Sequence, residues 1–209
     1  MFATATLITF VMASIAIILA PGPAQALVLA RTVSDGRRAG IMTALGLNIG
    51  TLIHALAAAV GISAILATSA IAFAIVKYLG AAYLVYLGLQ ALRGTPHASP
   101  LHSLPHSTPL QLFAKAVATG ILNPKVALFF LAFLPQFVDP QRGSVFAQFV
   151  VLGGLLALLD MGYETMLALI ASMLRSWLAG NQRFAVWRQR ATGAVLIGLG
   201  VRLALLRRD

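Results

Sequence analysis

The sequence contains no cysteine, which excludes disulfides, thiol redox chemistry and thiolate metal sites. Charge is almost as scarce: only 10% of its 209 residues are charged, against about 25% in an ordinary soluble domain. Acidic residues number five, namely Asp35, Asp139, Asp160, Glu164 and Asp209. So few charged side chains cannot coat a water-facing surface, and a lipid-facing one removes the need. A basic leader is missing too, because no Lys or Arg precedes Arg31. The first apolar stretch, despite its small-residue Ala24-Gln25-Ala26, is therefore expected to remain as a membrane helix rather than be cleaved as a signal peptide.

What is present is apolar: 60% of residues are hydrophobic and the mean hydropathy is +0.92. Six apolar segments emerge, at 4–29, 39–66, 70–92, 111–134, 145–174 and 187–206. A membrane helix takes roughly 20 apolar residues, so six of them with short loops fill the chain and leave no room for a soluble catalytic head. The expected fold is all-α, a polytopic membrane protein forming one transporter domain. The connection 93–110 carries Pro96, Pro100, Pro105 and Pro109 and reads as a loop dividing two three-helix repeats, 1–92 and 111–209.

The net charge of +10 sits between the apolar runs, where Lys and Arg flank cytoplasmic helix ends, and does not indicate a nucleic-acid partner. Arg31, Arg37 and Arg38 follow the first segment, Arg93 the third, and Arg175, Arg183, Arg188 and Arg190 the fifth. Odd-numbered segments are thus expected to end in the cytoplasm. The basic tail Arg202, Arg207 and Arg208 disagrees, leaving a five-span arrangement as the alternative.

Two of the segments are broken. Pro21-Gly22-Pro23 interrupts the first and Asn123-Pro124 the fourth, at comparable places in the two halves. Three helices per half invert the second half relative to the first, and paired broken helices in inverted repeats point to a transporter's substrate site. The backbone freed at Pro21, Gly22, Pro23, Asn123 and Pro124 can bind substrate, or the prolines can simply kink the helices. Lys125 offers a cation to an anionic group or snorkels to the interface.

The second segment carries Asn48, Thr51 and His54 on a broad polar flank, with Gly46 and Gly50 spaced for close helix contact. Asn48 can position a ligand or tie helices together. His54 is a candidate proton relay or a satisfied buried histidine. Asp160 and Glu164 are the acidic residues inside an expected span, one helical turn apart on one face. Intramembrane carboxylates usually mark ion or substrate pathways. Asp160, Glu164 and His54 are the proton-coupling candidates, and Asp160 is also a candidate partner for a substrate ammonium. The competing structural reading pairs Asp160 with Lys77 or Lys125.

Taken together these features resemble the LysE/RhtB family of amino-acid exporters. The resemblance runs through Pro21-Gly22-Pro23, Gly36-Arg37-Arg38-Ala39-Gly40 and Ala44-Leu45-Gly46. It continues through Lys77 to Gly88, Gly120 to Lys125, and Leu134-Pro135-Gln136-Phe137. Asp160-Met161-Gly162-Tyr163 is similar to the homoserine/threonine-exporting branch, while Glu164 stands outside that pattern. The resemblance implies efflux of amino acids through a bacterial inner membrane, driven by the proton gradient. It implies no cofactor and no covalent chemistry, and it is compatible with a homodimer. The alternatives are export of a nucleobase, a lactone or a metal cation, the last poorly served by His54, Asp160 and Glu164 alone. An intramembrane hydrolase would have to pair His54 with Ser14 or Ser63, without a Gly-x-Ser-x-Gly turn.

Overall fold

The structure is a computed structural model that describes residues 2–20, 22–68, 70–93 and 108–174, with scattered positions between 186 and 205. Every regular element among the described residues is helical.

The first apolar segment forms two helices. α1 spans Thr4–Leu19 and α2 spans Pro23–Asp35, and their axes diverge by 55°. Gly22 is the N-cap of α2, and Pro23 occupies its first turn, where a missing N–H costs nothing. α2 runs six residues beyond the expected end at residue 29. It can carry charge into that last turn because Arg31 and Asp35 pair at 3.0 Å on successive turns of the helix. The expected connection then shrinks to Gly36, whose φ of 90° suits glycine and lets α3 begin at once with Arg37.

α3 spans Arg37–Thr68 and α4 spans Ala70–Arg93. α5, Pro109–Ile121, opens with a capping box in which Thr108 and Gln111 satisfy each other's backbone N–H groups. Asn123 caps α6, Pro124–Leu128, which continues as a π-helical turn, Phe129–Phe133, and a 3₁₀ turn, Leu134–Phe137. α5 and this continuation meet at 41°. α7 spans Val145–Met173, with Ser144 capping its first turn.

α7 and residues Arg37–Gly61 of α3 are each long and apolar enough to cross a membrane, and each bent pair passes the same test as one span. Most of the sixth segment, 187–206, and most of the loop 93–110 lie outside the described residues. Gly200, one of the scattered helical positions, abuts α4 so closely that a Cβ there would stand 2.8 Å from the Ala81 carbonyl oxygen.

α3 packs on α5 and α7 through residues without bulk. A Cβ on Gly50 would lie 2.6 Å from the Gly120 backbone, and one on Gly46 would lie 2.7 Å from Ala116 Cβ. The expected Gly46–Gly50 contact surface is therefore present, facing Gly120. Gly50→Ala should cost about 1–3 kcal/mol of overpacking and lower the thermal unfolding midpoint in detergent. An unchanged midpoint would show that the two backbones are free to separate. Farther along, Phe10, Phe129, Phe133 and Phe137 pack tilted or edge-on at centroid distances of 5.2–6.1 Å and tie α1 to the segment after the second break.

Candidate functional site

The break in the first span leaves carbonyls without helical partners. The Ile17 carbonyl would normally accept from residue 21, but Pro21 has no N–H to give. Its partner comes from the other half of the chain: Lys125 Nζ donates to the Ile17 carbonyl at 3.1 Å and to the Ala20 carbonyl at 2.8 Å. Gln25 Nε2, from the first turn of α2, reaches back to the Ile18 carbonyl. Gly22 lies beside this contact, where a Cβ would meet Lys125 Nζ at an ordinary 3.6 Å. Pro21 itself lies outside the described residues.

The second break is closed in a matching way. Asn123 Oδ1 accepts from the Lys125 backbone N–H at 3.1 Å, so that N–H is not available to the Ile121 carbonyl one turn back. His54 Nε2 takes the vacated place at 2.8 Å. A carbonyl only accepts, so Nε2 carries the hydrogen. The ring also lies nearly parallel to Phe130 beyond the break, at 14°. His54 thus clasps both sides of the second break.

Between the breaks lies a cavity of about 380 Å³ counting its open mouth, with an enclosed part that has room for little more than a single water. Ile17, Ile18, Val126, Phe129 and Leu156 form its apolar wall. Gln25, Thr51, Asn123, Lys125, Asp160 and Glu164 supply the polar groups. Asn123, Lys125 and Glu164 are buried, with Glu164 only 1% exposed. Asn48 Nδ2 donates to Glu164 Oε2 at 3.2 Å and to the Ala44 carbonyl at 3.1 Å, while Asn48 Oδ1 is buried without a partner among the described residues. Among the described residues, no hydrogen bond or ion pair reaches the Asp160 carboxylate.

The family model described as LysE type translocator matches residues 15–207. The chain belongs to the LysE type translocator family. It is 35% identical to an uncharacterized membrane protein of Pseudomonas aeruginosa, over 94% of this chain and 93% of that one. It is 31% identical to the homoserine/homoserine lactone efflux protein of Salmonella typhimurium, over 95% of each chain. It is 30% identical to the leucine efflux protein of the same organism, over 95% of this chain and 94% of that one. No solved structure matches the chain. It is therefore a membrane translocator and not an enzyme, as expected from the absence of a catalytic head and of a nucleophile motif.

In this LysE-type translocator the residues singled out from sequence fall into two groups. Pro23, Asn123, Pro124 and Lys125 lie at the breaks, with Gly22 against Lys125, and Asp160 and Glu164 face the cavity beside them. Asn48 joins the site through Glu164 and Thr51 through the cavity wall. His54, on the same helix, is not among the lining residues. Lys125 does not snorkel, being 8% exposed and turned onto α1, and among the described residues no ion pair joins it to Asp160. The side chain of Lys77 lies outside the described residues. Gln25, which the sequence reading left inside Ala24-Gln25-Ala26, is a lining residue that was missed. Its signal is a lone amide two residues after a proline break in an apolar run.

His54→Gln keeps a donor where Nε2 stands, whereas His54→Leu strands the Ile121 carbonyl at a cost of about 1 kcal/mol. The leucine variant should unfold at lower temperature and transport more slowly, with the glutamine variant near wild type. Equal loss of transport in both variants would assign a role to the imidazole proton instead.

Proposed function

We propose that this LysE-type translocator is a secondary exporter of amino acids and related small zwitterions across a bacterial inner membrane, driven by the proton gradient. The reading takes the fold as six spans in two inverted three-helix repeats, 1–92 and 111–209, working by alternating access. The observation that carries it is a cavity holding opposite charges at the meeting of two broken spans.

The first turn of α2 offers backbone N–H groups that no helical carbonyl uses, with the positive end of the helix dipole behind them. Ala24 and Gln25 bring that turn to the cavity wall, beside the Lys125 ammonium. This end receives the substrate carboxylate. Asp160, which has no hydrogen bond or ion pair among the described residues, receives the substrate ammonium, and Asn48 and Asn123 hold the groups around it in place. The enclosed space is too small for an amino acid, so binding requires opening at Gly22 and Asn123, where the spans already bend by 55° and 41°.

A solute that keeps the ammonium but lacks a carboxylate, such as a lactone, would use the Asp160 end alone. The Salmonella homoserine/homoserine lactone efflux protein is named for both kinds of solute.

The test is growth of cells expressing the chain on toxic excesses of individual amino acids, with release of labelled amino acid measured from the same cells. Resistance with faster release of the same compound is expected. Faster release of none of them, in cells whose membranes contain the protein, would overturn the reading.

A further inference from the structure

The cavity holds one carboxylate more than a single zwitterionic ligand requires. Asp160 and Glu164 stand one turn apart on α7, and the cation facing them is Lys125 on α6. Its ammonium is already engaged by the Ile17 and Ala20 carbonyls. Among the described residues, the other groups brought to Glu164 by the helices packed around it are neutral: Gln25 from α2, and Asn48 and Thr51 from α3. With both carboxylates ionised the site is short of one positive charge, and negative charge without a counter-charge inside a membrane protein is costly. A zwitterionic substrate brings both signs and leaves that shortfall, so a proton is what supplies the missing charge.

The two carboxylates differ in their surroundings. Asp160 has no hydrogen-bond partner among the described residues. Glu164 is 1% exposed and is held by Asn48, whose side-chain amide can serve a carboxyl in either protonation state. As placed, Asn48 Nδ2 donates to the carboxylate and Oδ1 is left buried without a donor. Half a turn about the terminal side-chain bond exchanges the two atoms, and Oδ1 then accepts from a carboxylic O–H. The second Nδ2 bond, to the Ala44 carbonyl, can be given up, because that carbonyl lies one turn back on α3 where the Asn48 backbone N–H serves it.

We infer that Glu164, with Asn48 as its two-way partner, carries the coupled proton, leaving Asp160 to the substrate ammonium. The step is a proton binding to one Glu164 oxygen from the side where protons are abundant and leaving to the other side, with no other bond made or broken. Proton and substrate thereby occupy different carboxylates, so proton-driven flux can be lost while substrate exchange survives.

The assignment rests on the exporter reading above. Its test uses the purified full-length chain in lipid vesicles and two fluxes. One is exchange of labelled for unlabelled amino acid at equal pH, and the other is net flux driven by an imposed pH difference. In Glu164→Gln, driven flux should fall about tenfold or more and lose its pH dependence, while exchange falls by less than about threefold. Glu164→Asp should restore pH dependence, and Asp160→Asn should lose both fluxes.

Driven flux that survives Glu164→Gln overturns the assignment. So does loss of exchange as deep as the loss of driven flux, in protein that elutes from a sizing column like the wild type. If Glu164→Gln does not elute so, Glu164→Asp decides, since a shifted pH midpoint supports the assignment and an unshifted one overturns it. Failure of the wild type to exchange any amino acid would overturn the exporter reading itself.

Discussion

Asp160→Asn should abolish measurable export, lowering the apparent affinity for amino acid by about a hundredfold or more. The substitution keeps the shape and removes the charge proposed above to face the substrate ammonium. Removing one partner of a buried charge pair costs about 2–5 kcal/mol, and each 1.4 kcal/mol is a factor of ten. Stability should move in the opposite direction or not at all. Asp160 has no hydrogen bond to lose among the described residues, and the change removes one of two neighbouring carboxylates. Equilibrium binding of labelled amino acid to purified protein, beside a thermal unfolding scan, separates the two effects. An Asp160→Asn protein that binds amino acid within a few-fold of wild type would remove Asp160 from the substrate site.

The positions of the breaks were legible in the sequence because proline chemistry is local: a residue without an N–H strands the carbonyl one turn earlier wherever it occurs. The paired carboxylates were legible for a similar reason, since a spacing of four residues fixes their common face. What occupies the stranded carbonyls was not legible. Lys125 lies more than a hundred positions from Ile17, and no local pattern announces that the two meet. Pro21 did at least mark the Ile17 carbonyl as one in need of a donor.

His54 shows the same limit from the other side. Its three-residue step from Thr51 placed it on the polar flank of Asn48, but a broad flank is shared between neighbours. Asn48 turns to Glu164, Thr51 to the cavity wall and His54 to the α5 terminus. The length of α2 was misread because Arg31 and Asp35 look like a loop until they are seen to neutralise each other within one helix. Family membership was legible from the ordered motifs, whereas the closed state of the cavity depends on packing that no motif encodes.

Lys125→Met should be the most destabilising substitution at the site. It strands two buried carbonyls, at Ile17 and Ala20, each costing about 1–3 kcal/mol, and it leaves Asp160 and Glu164 without a cation nearby. A loss of about 3–5 kcal/mol is expected in detergent unfolding, along with loss of transport. The two contributions can be separated because only one is electrostatic. Adding Glu164→Gln removes a negative charge without touching α1, so the double variant should recover the share due to unbalanced charge, about 0.5–3 kcal/mol. The share due to the stranded carbonyls should remain lost. Strict additivity of the two substitutions would mean that Lys125 acts on α1 alone, with no electrostatic tie between the first break and the carboxylates of α7.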